Sequence, residues 1–303
     1  MNKSFSSIGI IGKRDDARVE QMALGLRDHL TERAITVLLD EQTSHQFSGW
    51  DGELCPRDAL GERCDLVIVI GGDGTLLDAG RNVCDSDTPL LGINLGRLGF
   101  MVDVLPAEML ETLDEVLRGE YVREPRLMLS ASVEHEDAGL GTCGPMYALN
   151  DVVIRNKESA RVLEFDTFMD GDFISRHRAD GIVIASPTGS TAYALSGGGP
   201  VLHPGLSALT LVPICPHTLS DRPLVVDAKH TIEVVVAPDE GMNAVFTADG
   251  QTHQTVSGGD RIVIRRSPRS LTLIHPRGYD YFNILRNKLH WGRGQREYPP
   301  TPD

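Results

Sequence analysis

Gly71-Gly72-Asp73-Gly74-Thr75 sets one carboxylate among three glycines and a hydroxyl. Glycines let a backbone approach a phosphate closely and take positive φ where a turn needs it. A helical pattern opens directly afterwards at Leu76-Leu77-Asp78-Ala79, and a helix N-terminus offers free N–H groups to anions. A carboxylate inside a loop that only bound phosphate would repel its ligand. It makes sense if Asp73 takes a proton from an attacking hydroxyl or holds a metal that bridges phosphates. The simpler alternative is a tight turn whose Asp caps a helix, and the loop's position after an apolar run weighs against it.

A second stretch, Ala179-Asp180-Gly181 through Ser196-Gly197-Gly198-Gly199-Pro200, runs from a strand pattern into a turn rich in hydroxyls and glycine. Ser190 is expected to cap a short helix over Thr191–Ser196, leaving N–H groups and hydroxyls for a polar ligand. Tyr193 would flank a flat ring. Asn150-Asp151 interrupts the apolar run Tyr147–Ile154, and a polar pair there is costly unless it binds something. Asn94-Leu95-Gly96-Arg97-Leu98-Gly99 has the spacing of a dinucleotide loop with Asn in the first glycine's place, and alone it reads as a strand-to-loop turn. Asp249-Gly250-Gln251 reads as a hairpin turn.

Several chemistries lack their residues. There is no Gly-x-x-x-x-Gly-Lys-Ser/Thr loop and no Gly-x-Ser-x-Gly elbow, and His177-Arg178-Ala179-Asp180 stands outside any protein-kinase context. The ten histidines show no metal-ligand spacing. A dehydrogenase would put Gly-x-Gly-x-x-Gly at the first α/β turn, and none is there.

The elements that must carry these residues change character along the chain. Buried strands are expected at Ile8–Ile11, Thr36–Leu39, Asp65–Ile70 and Pro89–Ile93. Apolar helical stripes are expected over Val19–Leu30 and Ala107–Leu117, with loop and a short helix over residues 41–62. This alternation predicts a parallel α/β sheet, whose ligands bind beyond the carboxyl ends of its strands. After residue 123 the period becomes two, with runs at Arg126–Val133, Tyr147–Ile154, Val162–Met169, Gly181–Ala185, Leu209–Ile214, Thr231–Val236, Ala244–Ala248, Arg261–Ile264 and Leu271–Ile274. Many short strands with Gly- and Pro-rich turns predict an all-β, sandwich-like second domain. The expected division is 1–123, 124–275 and a C-terminal segment 276–303 whose end, from Arg293, reads as frayed.

The chain has 303 residues, with 43 acidic and 29 basic side chains and a net charge of −14. That balance repels nucleic acid, so any phosphate ligand must be met locally. The only basic run, around Arg265 and Arg266, alternates as a solvated strand face. Five unpatterned cysteines (Cys55, Cys64, Cys84, Cys143, Cys215) fit a reducing cytoplasm. The N-terminus lacks a signal peptide's apolar region, and no apolar run approaches membrane-spanning length.

Taken together, Gly71–Thr75, Gly92–Phe100, Ala148–Asp151, Asp180–Pro200, Pro213–Pro223 and Asp249–Gln251 resemble the NAD kinase family. The Gly71–Thr75 loop is shared with the wider diacylglycerol kinase and phosphofructokinase superfamily. The run from Asp180 to Pro200 is much more particular to NAD kinases. The resemblance implies an α/β domain and a β-sandwich domain, a site between them, and transfer of the ATP γ-phosphoryl group to the 2′-hydroxyl of NAD's adenosine ribose. Asp73 would be the base, and Gly71, Gly72, Gly74 and Thr75 the phosphate loop. Gly74, Phe100, Asn150, Asp151, Arg161, Arg178, Asp180, Thr191, Ala192, Tyr193, Ala194, Leu195, Ser196 and Gln251 would join Asp73 in contacting NAD, partly from a neighbouring subunit. A divalent ion, commonly Mg²⁺, would accompany ATP, with its protein ligands unassigned, and the chain would form a dimer or tetramer. Asp151 stands where the family often has Glu, which keeps the carboxylate. The rival readings are a lipid or sugar kinase of the superfamily and a non-catalytic dinucleotide-binding regulator.

Overall fold

The computed structural model describes residues 5–96, 99–137, 139, 141–157, 162–238 and 243–291. The chain divides into two compact units. One comprises residues 1–76, 89–123 and 273–303, and the other residues 77–88 and 124–272.

The first unit begins with β1 (Ser7–Gly12), α1 (Arg18–Thr31) and β2 (Thr36–Asp40). It continues through α2 (Glu41–Ser44), β3 (Glu53–Cys55), α3 (Leu60–Arg63) and β4 (Leu66–Gly71). Helix α4 (Asp73–Val83) starts in this unit, followed by β5 (Leu90–Asn94) and α5 (Met109–Leu117). Strands pair in parallel in the order β3-β2-β1-β4-β5. All six β4 residues are buried, as an unbroken Leu-Val-Ile-Val-Ile run requires. Val19, Ala23, Leu26 and Leu30 of α1 and Met109, Leu113 and Val116 of α5 pack against Ile8, Ile10, Ile68 and Ile70. The strand β3 was not expected within 41–62, and its three residues carry no period of their own.

The second unit holds β6 (Tyr121–Glu134), β7 (Thr142–Ala148), β8 (Asp151–Asn156), β9 (Leu163–Met169), β10 (Asp172–Ala179) and β11 (Gly181–Ala185). After the short helix α6 (Tyr193–Ser196) come β12 (Ala208–Ile214), β13 (Leu224–Asp227), β14 (Ile232–Val236), β15 (Asn243–Ala248) and β16 (Thr252–Ser257). One antiparallel layer runs β10-β9-β14-β17, where β17 is Arg261–Pro276, and the other runs β13-β12-β11-β8-β15-β16. Leu163, Phe165, Ile232, Val234 and Ile264 of the first layer meet Ile154, Ile184, Leu211 and Phe246 of the second in one core. The alternating positions thus face inward from both sheets, as a sandwich requires.

Two expectations are corrected. Tyr147–Ile154 is not one strand: β7 ends at Ala148, β8 begins at Asp151, and the polar pair falls where the chain changes strands. Arg261–Ile264 and Leu271–Ile274 are one strand, β17, whose end pairs in parallel with β5 through Leu273 and Ile274. Helix α7 (Tyr281–Leu289) follows, capped by the Asp280 carboxylate, which accepts the Asn283 N–H. The expectation for the tail from Arg293 lies outside the described residues.

Candidate active site

In the first unit the chemistry gathers at the carboxyl end of β4. Gly71 ends the strand, and the Gly72 carbonyl accepts the N–H groups of Thr75 and Leu76 at 3.0 and 3.1 Å, which starts α4 at Asp73. Neither Gly71 nor Gly72 takes positive φ. Small size matters instead: a β-carbon on Gly71 would lie 2.4 Å from the Thr75 hydroxyl, whereas one on Gly72 would meet nothing within 4 Å. The Gly72 face is therefore open, and Gly74 beside it is exposed.

The half-buried Asp73 carboxylate accepts the Phe100 N–H at 2.9 Å through Oδ2 and the Met101 N–H at 3.1 Å through Oδ1. Both oxygens are oriented by backbone donors, and each keeps a further acceptor position. Gly99 makes this possible, because a β-carbon there would sit 2.1 Å from Asp73 Oδ1. Phe100 stands under the Lys288 ammonium, 5.9 Å from the ring centroid. Asn94 is buried and its Oδ1 accepts the Gly96 N–H at 2.7 Å. Arg97 and Leu98 of the same loop lie outside the described residues.

The second unit brings Asn150, Asp151, the Ser186–Thr191 turn and the Asp249–Gln251 turn together. The Ser186 N–H donates to the Asn150 carbonyl at 2.9 Å, and the Ser186 hydroxyl donates to the Leu149 carbonyl. Gly189 packs so tightly that a β-carbon would lie 2.0 Å from the Asn150 carbonyl oxygen. The expected cap is corrected here. Ser190 does not cap α6; its fully buried hydroxyl donates to the Pro187 carbonyl at 2.6 Å and accepts the Leu202 N–H at 2.9 Å. Thr191 donates to the Thr188 carbonyl at 3.2 Å. These hydroxyls build the turn, and the exposed surface is left to α6, where Tyr193 is 44% exposed, Ser196 is exposed and Ala194 is buried. Ala192 and Leu195 are half-buried.

Asp249 is more than a hairpin residue. It and Gly250 take φ of 52° and 64° between β15 and β16, the left-handed pair a two-residue turn demands. Its side chain is wholly buried, and its carboxylate accepts N–H groups from Leu149 at 3.1 Å, Asn150 at 2.7 Å and Asp151 at 3.3 Å. Arg81 of α4 pairs with it at 2.8 Å and also donates to Gln251. Burial, and then the Asp249 charge, push the Asp151 carboxyl up from its ordinary value to about 7. The Asn150 Oδ1 is buried with no partner among the described residues, so a donor there would be gained by a ligand.

Arg178 and Asp180 stand apart from this cluster on exposed positions around the end of β10. The Arg178 guanidinium pairs with Glu164 at 2.8 Å, while the Asp180 N–H donates to the Ile214 carbonyl at 2.9 Å. Arg161 lies outside the described residues. Sequence reasoning missed Arg81 altogether and undervalued Asp249, because an ordinary helix position explained the first and a turn the second.

A carboxylate fixed at a strand end, and a polar pair held by a buried turn, fit a hydroxyl acceptor and a nucleotide. The family model described as ATP-NAD kinase N-terminal domain matches residues 8–121, and that described as ATP-NAD kinase C-terminal domain matches residues 149–276. An NAD kinase of Nitrosococcus oceani is 45% identical over 295 residues, covering 97% of this chain and 99% of its own. An NAD kinase of Chromohalobacter salexigens is 45% identical over 287 residues, covering 95% and 97%. Among solved structures, an NAD kinase from Archaeoglobus fulgidus in complex with ATP has a TM-score of 0.73 at 27% identity, covering 94% of this chain and 98% of that one. A yeast NADH kinase complexed with NADH shares the fold, with a TM-score of 0.88 at 24% identity over 98% and 91% of the two chains. With both halves matched and near-full-length relatives at this identity, the chain belongs to the NAD kinase family.

Proposed function

We propose that this ATP-dependent NAD kinase uses Asp73 to deprotonate the 2′-hydroxyl of NAD's adenosine ribose as it attacks the γ-phosphorus of ATP. The observation that carries the assignment is the Asp73 carboxylate, aimed by the Phe100 and Met101 N–H groups and seated at the first turn of α4. Phosphoryl transfer is chiefly positioning and charge stabilisation, and the open Gly72–Gly74 face with the α4 N–H groups supplies both to the phosphates. Gly71 and Thr75 pack against each other and hold that loop in shape.

Among the described residues no three His, Cys, Asp or Glu side chains gather into a metal-binding set. The divalent ion, Mg²⁺, is assigned from the family resemblance and would arrive with ATP as part of the substrate. Asn150 and Asp151 are assigned to NAD, together with Gly74, Phe100, the Thr191–Ser196 segment, Gln251 and, from the family resemblance, Arg161, Arg178 and Asp180. The same resemblance supports an α/β domain, a β-sandwich domain and a returning last segment, and a dimer or tetramer with NAD contacts from a neighbouring subunit; the change of period supports bounds at 1–123, 124–275 and 276–303, and the unpatterned cysteines a cytoplasmic location. No helix among the described residues is long and apolar enough to cross a membrane.

The test is NADP formation from NAD and Mg²⁺–ATP by the purified protein beside its Asp73→Asn variant. A positioned general base contributes about 10²–10⁴-fold, so the variant should lose turnover by that factor. Near-normal turnover in Asp73→Asn would remove Asp73 from the role, and light scattering of the same sample reads the assembly.

A further inference from the structure

Arg81 lies on α4, eight positions after Asp73 in sequence, yet two of its partners are 168 and 170 residues away. The guanidinium is 10% exposed and forms a fork. Nη1 donates to Asp249 Oδ2 at 2.8 Å, while Nη2 reaches Asp78 Oδ1 at 3.1 Å and the Gln251 side-chain oxygen. Asp249, with a fully buried side chain, spends its two oxygens on three successive N–H groups, those of Leu149, Asn150 and Asp151. The Asp249 N–H returns a bond to the Asp151 carbonyl at 2.9 Å.

Three consecutive backbone donors aimed at one carboxylate impose one conformation on residues 149–151, and that conformation depends on the carboxylate being held in place. A buried carboxylate needs a cation to offset its desolvation, and Asp151 beside it adds a like charge that opposes it. Arg81 supplies the compensating charge, and its planar fork fixes the turn in two places, at Asp249 and at Gln251. A lysine could supply the charge without the fork.

We infer that Arg81 is a positioning residue for the dinucleotide: through Asp249 it sets the backbone from which Asn150 and Asp151 reach NAD, and through Gln251 it sets a third contact. The inference rests on the reading above that Asn150, Asp151 and Gln251 touch NAD. Arg81 itself need not touch substrate, and it has no part in handling ATP.

Steady-state constants for both substrates test this in Arg81→Met, Arg81→Lys and Asp151→Asn. Truncating one partner of a buried charged pair should raise KM for NAD about tenfold in Arg81→Met, with KM for ATP held within about twofold. Arg81→Lys should recover part of the loss and leave a rise of about threefold, because the charge returns and the fork does not. A role confined to stability would lower the melting temperature and leave both KM values alone, and that result overturns the inference. If Arg81→Met does not fold, Arg81→Lys decides alone, and an unchanged KM for NAD in it is equally fatal. Asp151→Asn separates the two levels. If it leaves KM for NAD unmoved, the assignment of Asp151 to NAD fails and takes the inference with it. If it raises KM while neither Arg81 variant does, only the role of Arg81 falls.

Discussion

Asp151 carries a cost that the rest of the second unit must bear. Its carboxyl titrates near 7 in the fold because burial strips its hydration and Asp249 adds a like charge. A carboxyl raised above its unfolded value binds a proton in the fold that the unfolded chain has already lost. Its contribution to stability is therefore intact below about pH 4 and is lost as pH rises through about 7. Asp151→Asn removes the titration, so the stability of the variant relative to the wild type should rise by a few kcal/mol between about pH 3.5 and pH 8. Urea midpoints at the two pH values read this directly, and a difference that does not change with pH contradicts it. The two carboxylates were not equally legible in the sequence. Asp151 announced itself as a charge beside apolar Val152-Val153-Ile154. Asp249 sat in an Asp-Gly turn whose φ requirements explain an Asp by themselves. Nothing local marks Arg81, since its meaning comes from residues far along the chain. Asp73 was legible because its three neighbouring glycines exclude most ordinary reasons for the loop.

At the level of elements, the carboxyl ends of β1 and β2 are tied by one buried hub. Asp40, fully buried at the end of β2, caps α2 by accepting the Thr43 N–H at 2.9 Å and the Thr43 hydroxyl at 2.7 Å. The same hydroxyl accepts the Gly12 N–H at 2.9 Å, and Asp40 pairs with the buried Arg57. Residues 41–62 read as loop and short helix because this order comes from Asp40 and Arg57 rather than from any apolar period. Asp40→Ala should cost about 3–5 kcal/mol, the usual result of breaking a buried ion pair from one side. A urea midpoint that barely moves would show the hub to be dispensable. The two halves of β17 were each visible as apolar runs. Their junction, Arg265-Arg266-Ser267-Pro268, was hidden by polarity, since the strand there has exposed positions. Helix α7 had a readable start in Asp280 and an apolar stripe at Tyr281, Ile284 and Leu285, but the charged sequence that follows it masks the pattern.

At the scale of the whole chain, the first unit is made of three separated segments, and its last piece arrives only after residue 272. Leu273 and Ile274 pair with Leu90 and Leu91 of β5, and Ile274 joins the core beneath α1 and α5. His275, fully buried, bonds Asp103 at 3.0 Å and stacks on Tyr279 with ring centroids 3.8 Å apart. Tyr281, Ile284 and Leu285 of α7 are buried as well. The β4–β5 region that carries Asp73 and the Phe100 loop thus depends on the end of the chain, although every motif in it lies before residue 102. A protein ended at Thr272 would leave Leu90 and Leu91 of β5 without their partner strand and would remove these apolar side chains from the core. The second unit keeps both of its sheets, because β17 still reaches β14 through Arg261–Ile264. Hydrogen exchange read by mass spectrometry should find amides of β1, β4 and β5 unprotected in the truncated protein, with those of β8, β11 and β12 still slow. Protection retained in β4 would mean that the parallel sheet closes without its last strand, and the Asp73 loop would then owe nothing to the returning segment. Loss of protection there, with the sandwich intact, would make arrival of residues 273–289 the step that assembles the Asp73 loop.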